Sequence, residues 1–434
     1  MKVKIQAIAA AAMLTSLLAA CSQSADQPSG AGAPASAKEE AKAGQTVQIS
    51  AQLHVTPNLT AEFWDGVIKK FEEQNPGVKI KRVQAPEDPE QYVKMLLASG
   101  DMPDVVHNVR FPDLVKANAL KPFELDDDIK KIRDVESGFI NGKLYNLNDV
   151  VQPQSLIFYN KKMFADAGIT STPKTWDELM ADAEKLKQKS FTPFLTSGEW
   201  VTGFTMSVLS APDTFGQNVR WYADRAAGKV HFTDDNWKTA AQRWVDMNAK
   251  GYFNKGALSL SYTQLEQQFL KGAGAMYPMG SWFTAAEKDA KDKGFEVGVF
   301  AVPSTNGDLR LAGGINQSGF GISQKSKHAD IALKFVKFLL LDRDNHKAII
   351  EKDALISNLK DPVDYPMTPL QTEIAKLVKE AKVLSGHVNV EVGDSVGAPG
   401  MAEEFNKAAQ NLLMGNKVDQ VLKSLDEMWD KNSK

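Results

Sequence analysis

Cysteine is nearly absent: the 434 residues hold one, Cys21, which excludes an internal disulfide and any zinc site built on cysteines. Neither sign of charge dominates, with Lys and Arg at 51 against Asp and Glu at 54. That balance excludes a nucleic-acid binder working through bulk positive charge, and equally a polyanionic disordered chain. The six histidines are scattered without ligand-like spacing. The sequence has no Gly-x-x-x-x-Gly-Lys-Ser/Thr loop, no His-Glu-x-x-His, no Gly-x-Ser-x-Gly elbow and no Asp-x-Asp-x-Asp-Gly loop. Gly272-x-Gly274 lacks the third glycine of a dinucleotide fingerprint, and Asp126-Asp127-Asp128 reads as a solvated helix entry rather than a metal cluster. No cofactor, no metal and no enzyme activity are therefore expected. A hydrolase built from two distant carboxylates would leave no motif and stays open.

What the chain does have begins with an address. Lys2 and Lys4 precede an apolar run from Ile5 to Ala20, which ends at Leu18-Ala19-Ala20-Cys21. A cationic start, a short apolar stretch and small residues before a cut describe a secretory signal over residues 1–20. The cysteine after Leu-Ala-Ala resembles the lipobox of bacterial lipoproteins, which implies cleavage before Cys21 and lipid on that residue. Several acyl chains, at about 0.8 kcal/mol per buried methylene, make a durable anchor. Residues 21–45 are rich in Ala, Ser, Gly, Pro, Lys and Glu, with hardly a large apolar side chain, and read as a flexible tether. No further long apolar run follows, so the rest is not expected to span a membrane.

Beyond the tether, strand and helix patterns alternate. Val47 to Leu53 reads as a strand, followed by a helix from about Thr60 with Phe63, Val67, Ile68 and Phe71 on its apolar side, stopped by Asn75-Pro76-Gly77. Val78 to Val83 alternates strictly. Asp88-Pro89-Glu90 opens a helix that Gly100 closes, and Pro103 to Val106 is the next short strand. This order predicts an open α/β sheet with mostly parallel strands and a ligand crevice beyond their carboxyl ends. Thr175-Trp176-Asp177-Glu178 spells a capping box, with Glu178 reaching back to the Thr175 amide. Later helices are expected over 236–250, 263–271, 401–414 and 419–429, and a strand near 295–302.

Leu156-Ile157-Phe158-Tyr159-Asn160-Lys161-Lys162-Met163-Phe164, then Ala167-Gly168-Ile169 and Pro173 to Glu178, resembles the signature of family 1 extracellular solute-binding proteins. Ser99 to Val106, Gly142-Lys143-Leu144-Tyr145, Gly274-Ala275-Met276 through Gly280-Ser281-Trp282, and Ser326-Lys327 ahead of the Ala332–Leu341 segment agree in order. The resemblance spans essentially the whole body after the tether. It implies a two-lobed periplasmic-binding-protein fold of the type II kind, each lobe an open, mostly parallel sheet flanked by helices, with a ligand cleft at the hinge. It places lobe 1 at 46–152 plus 302–354 and lobe 2 at 153–301 plus 355–434, with crossings near Leu147–Ser155, Ala301–Pro303 and Leu355-Ile356. It further implies a monomeric receptor on the outer face of the bacterial membrane, delivering a sugar or oligosaccharide to an ABC permease by hinge closure. The alternatives are a non-sugar solute (a polyol phosphate, a polyamine or a metal chelate), a surface glycoside hydrolase, or a sensor subunit for a membrane kinase.

A sugar presents apolar ring faces and a rim of hydroxyls, which aromatic rings and planar polar groups match. Trp282 after Gly280 and Ser281 is the first candidate for a stacking platform, the alternative being a core tryptophan at a strand–helix junction. Glu199 and Trp200 occupy a Ser-Gly loop where the family commonly has an acid or amide beside an aromatic. His107, Asn108 and Arg110 follow a strand; Arg110 reads as a bidentate clamp or an ordinary ion pair, His107 as a ligand residue or a structural hydrogen-bonder. Asn148, Asp149, Gln152 and Gln154 offer polar tips near the first crossing, although Tyr145-Asn146-Leu147-Asn148 departs from the family's Gly-Lys-x-Tyr-Gly-hydrophobic-Pro pattern. Asn316 and Gln317 follow two glycines where the family returns to the cleft, and His54 and Asn58 lie near the end of the first strand.

Overall fold

In the computed structural model, residues 46–84, 89–133, 135–290, 293–313, 319–388, 390 and 395–433 are described. The signal and tether segments, Cys21, Asn316 and Gln317 lie outside them. Val47–Gln52 pairs in parallel with Val78–Val83, from Val47 opposite Val78 to Gln52 opposite Val83, and in parallel with Val105–His107. Gly319–Ser323 arrives from far along the chain and lies antiparallel between Val105–His107 and Leu120–Lys121. Leu147–Asn148 also joins it, and here glycine is required: a Cβ on Gly319 would sit 1.9 Å from Asn146 Oδ1.

Helix Ala61–Gln74 begins where Thr60 Oγ1 accepts the Phe63 amide, and it buries Trp64, Val67, Ile68 and Phe71 against this sheet. Trp64, rather than the expected Phe63, takes the first buried position, because 64, 67, 68 and 71 complete the helical stripe. Trp64, Phe71, Val105, Phe320, Phe335 and Ile350 belong to one continuous core.

A second body forms around Leu156–Asn160, which pairs antiparallel with both Met276–Met279 and Val297–Ala301. The expectation of mostly parallel strands is therefore corrected for this body, since alternation of apolar residues carries no strand direction. Two apolar clusters flank this sheet. One holds Trp237, Trp244, Phe405 and Trp429; the other holds Phe158, Phe269, Tyr277 and Phe283. Helices Val201–Ser210 and Met401–Leu413 approach so closely that a Cβ on Gly203 would lie 2.7 Å from the Asn406 Cα.

Helix starts differ in detail from the sequence reading. Thr175 Oγ1 accepts the Glu178 amide at 3.3 Å, but Glu178 reaches back to the Lys174 amide at 2.7 Å. The Thr175 box is thus half-formed, whereas Ser261 with Gln264 and Thr368 with Gln371 close complete boxes.

The chain passes between the two bodies after Val150, between Leu311 and Gly319 and between Tyr365 and Leu370, so the crossings expected at Ala301–Pro303 and Leu355-Ile356 are corrected to later positions by the cores in which the flanking residues pack. Val150–Val151 pairs antiparallel with Ile356–Ser357. The Gln154 and Ser155 amides both donate to Ala312 O, at 2.9 and 3.1 Å, and the Val302 amide donates to Ser155 O at 2.9 Å. Val302 and Leu311 pack in the second body, and Leu355, Leu359, Val363 and Tyr365 in the first. Among the described residues, no helix is long and apolar enough to cross a membrane.

Candidate functional site

Four aromatic rings, Trp200, Phe204, Tyr262 and Trp282, gather on the second body with the His387 imidazole against them. The Phe204 ring lies 5.4 Å from Trp200, 5.6 Å from Trp282 and 5.9 Å from His387, and Trp200 lies 5.1 Å from Tyr262. Trp200 is 40% exposed and Trp282 half-buried, so the group is an apolar surface with a wet edge rather than a sealed core. Trp282 folds back over Gly280, where a Cβ would stand 1.9 Å from the ring. Glycine at 280 is therefore the condition for this ring position. Ser281 is buried, with its amide donating to Pro153 O at 2.9 Å.

A polar chain runs beneath the rings. The Tyr262 hydroxyl donates to Glu266 Oε2 at 3.0 Å. Burial raises the Glu266 carboxyl above the usual carboxylate range, against the lowering by Tyr262. Glu199, at φ 52°, accepts the Tyr262 amide with Oε2 at 3.1 Å, while its carbonyl accepts from Asn406 and Gln410. Its carboxylate thus anchors the start of helix Tyr262–Leu270 and holds Trp200 at the edge of the group.

Behind the rings, Ser207 Oγ accepts the Val388 amide and so directs its proton to His387 Nδ1 at 3.0 Å; His387 Nε2 then donates to Gln154 Oε1. Full burial lowers the His387 imidazole to about 3, so this link between helix Val201–Ser210 and the first crossing is uncharged at neutral pH.

The first body contributes a polar wall. The His54 amide donates to His107 Nδ1 at 3.1 Å, which leaves the His107 proton on Nε2, 3.0 Å from Asp149 Oδ2. His107 also stacks on Phe320 at 4.2 Å and is 2% exposed, so the structure places it as a structural hydrogen-bonder. Burial, with His107 adding to it, lowers His54 to about 4. Asp353, following helix Arg343–Lys352, accepts Asn58 Nδ2 at 2.7 Å with Oδ1, and burial raises it to about 7. The Asp353 charge acts on the Tyr262 hydroxyl of the second body, so the two lie near one another.

Other predicted residues part from the site. Arg110 donates to Asp113 Oδ2 at 2.9 Å and to the Gly397 carbonyl, the ion-pair alternative rather than a free clamp. Asn148 is buried, its side chain donating to Ser137 Oγ and accepting from Asn146 while its backbone carbonyl accepts from Asn358, so its polar groups serve bonds within the first body. Asn108 takes φ 52° with its amide on Gly319 O at 3.0 Å, and Gln152 is half-buried beside the crossing. Sequence reasoning missed Phe204, Tyr262, Glu266, Asp353 and His387. The Ser261/Gln264 box was a readable signal for Tyr262; nothing local marks the others.

Residues 56–345 match the family of bacterial extracellular solute-binding proteins, and the chain belongs to it. It is 27% identical over 360 residues to the multiple sugar-binding protein of Streptococcus mutans, covering 80% of this chain and 82% of that one. Identity to the diacetylchitobiose binding protein DasA of Streptomyces coelicolor is 26% over 375 residues, 82% of this chain and 83% of that one. Among solved structures, a chitin oligosaccharide binding protein superposes with a TM-score of 0.78 at 25% identity, over 90% of this chain and all of that one. The raffinose complex of the binding protein RafE superposes at 0.73 with 20% identity, again over 90% and 100%, which shows the shared fold.

Proposed function

We propose that this protein is a carbohydrate receptor of an ABC importer, held on the outer face of the cell membrane through lipid on Cys21. It captures a sugar or oligosaccharide between its lobes as a monomer and passes it unchanged to the permease. The observation that carries this reading is the group Trp200–Phe204–Tyr262–Trp282, underlain by Glu266 and with Asp353 near Tyr262. Flat rings match sugar faces, and a buried acid near them matches a hydroxyl rim. The names of the relatives support the same class of solute. Trp282 and Trp200 are the stacking residues of this proposal, and His54, Asn108 and Gln152 its polar contacts.

The first lobe takes 46–151 with 319–365 and the second 156–311 with 370–433, following the cores. A polyol phosphate fits less well, because Arg110 is engaged and the acids Glu266 and Asp353 lie at the rings. Calorimetry with a panel of neutral mono- to tetrasaccharides, followed by chromatography of the recovered sugar, tests the proposal. Saturable binding with intact sugar is expected. Turnover, or no binding across the panel, overturns it.

A further inference from the structure

Asp353 is 5% exposed and pairs with no cation among the described residues. Its Oδ1 accepts from Asn58; no second donor among the described residues reaches Oδ2. Oδ2 is not among the sealed unpartnered oxygens, so it keeps a face open to solvent where a ligand hydroxyl can reach it. Every titratable neighbour makes ionisation harder or leaves it uncompensated. Asp149 repels it from the crossing, and Tyr365 from the following loop and Tyr262 from the other lobe supply no positive charge. On the preceding helix, Glu351 acts on Tyr365, His346 is lowered to about 4 by burial and is neutral, and Lys352, next in sequence, forms no ion pair with Asp353.

We propose that Asp353 is the first lobe's ligand-binding carboxyl, and that the cleft releases a proton as it takes up a neutral polyhydroxylated ligand. This rests on the reading of the cleft as a sugar site. Sugar hydroxyls donate to the bare Oδ2 and stabilise the carboxylate, so its proton leaves when the ligand arrives. An anionic sugar would bring a second negative charge to a site that already strains to hold one, so uronic acids and sugar phosphates are rejected. The empty carboxyl, raised to about 7 by burial, sits where neutral pH divides its two forms. Affinity therefore rises with pH up to about 8 and levels off there, and is about tenfold weaker at pH 6 than at pH 8.

The test uses whichever of galactose, raffinose, stachyose and diacetylchitobiose gives the largest thermal shift. Calorimetry at pH 6 and pH 8, in phosphate and in Tris, reads affinity and protons released together. Tenfold weakening at pH 6 with net proton release is expected, and Asp353→Asn should abolish both. Should Asp353→Asn fail to fold, Asn58→Ala removes the one protein donor and should move the midpoint of the pH profile upward. Binding that is independent of pH, that strengthens on acidification, or that keeps its proton release in Asp353→Asn overturns the inference and leaves the sugar reading standing. No binding by any of the four sugars at either pH overturns both.

Discussion

At the scale of residues, one glycine and one tryptophan carry most of what can be tested. Trp282→Ala removes a ring from the four-ring group, and affinity for the preferred sugar should fall by at least about tenfold, about 1.4 kcal/mol. Gly280→Ala should do similar damage by another route, because its methyl would stand where the Trp282 ring lies. Calorimetry on the folded variants checks both; wild-type affinity in either would remove Trp282 from the site. The buried imidazoles give a prediction for the fold itself. His54, His346 and His387 are lowered to about 4, 4 and 3, so the unfolded chain binds more protons than the native one between roughly those values and 6.5. Their stabilising contribution is complete above pH 6.5 and is lost on acidification, at up to about 1.4 kcal/mol per pH unit for each group. Asp353 acts in the opposite sense between about 4 and 7, where the native state holds the extra proton. Melting temperatures between pH 7.5 and 4 should fall, and replacing His387 with Gln should shallow the slope.

At the scale of elements, the close pair Val201–Ser210 and Met401–Leu413 is the sharpest prediction. Gly203→Val would push a side chain into Asn406 and break the Gly203 amide bond to Asn406 Oδ1, formed at 2.8 Å. Overpacking of this kind costs about 1–3 kcal/mol, readable as a lower denaturation midpoint. Most helices and their starts were legible in the sequence, because apolar spacing and cap residues act locally: Thr60 and Asn75 bound their helix as read. Strand direction in the second sheet was not, since an alternating strand looks the same in either orientation. The site was legible only in part. Trp282 and Trp200 stood out as aromatics beside glycines and polar residues, and the structure does bring them onto one surface. Arg110 and Asn148 misled because a polar side chain near a strand end serves internal bonds as readily as a ligand. Asp353 left no trace, since the chain path alone brings it near Tyr262, and Glu266 stands one helical turn after Tyr262 with nothing in the sequence to mark that acid as buried.

At the scale of the whole molecule, two separately cored bodies are joined where the chain passes between them near 150–156, between Leu311 and Gly319 and between Tyr365 and Leu370, and in the proposed receptor these joints are the axis of closure. Ligand energy can drive that closure only through contacts made to both lobes at once, which in the proposed receptor the rings of one and Asp353 of the other would provide. Small-angle X-ray scattering of the chain from residue 46 onward, with and without a saturating neutral sugar, reads this directly. The account predicts a smaller radius of gyration in the sugar-bound protein, with the sugar recovered chemically intact. Superimposable scattering curves at a concentration where calorimetry shows the sugar bound would contradict it.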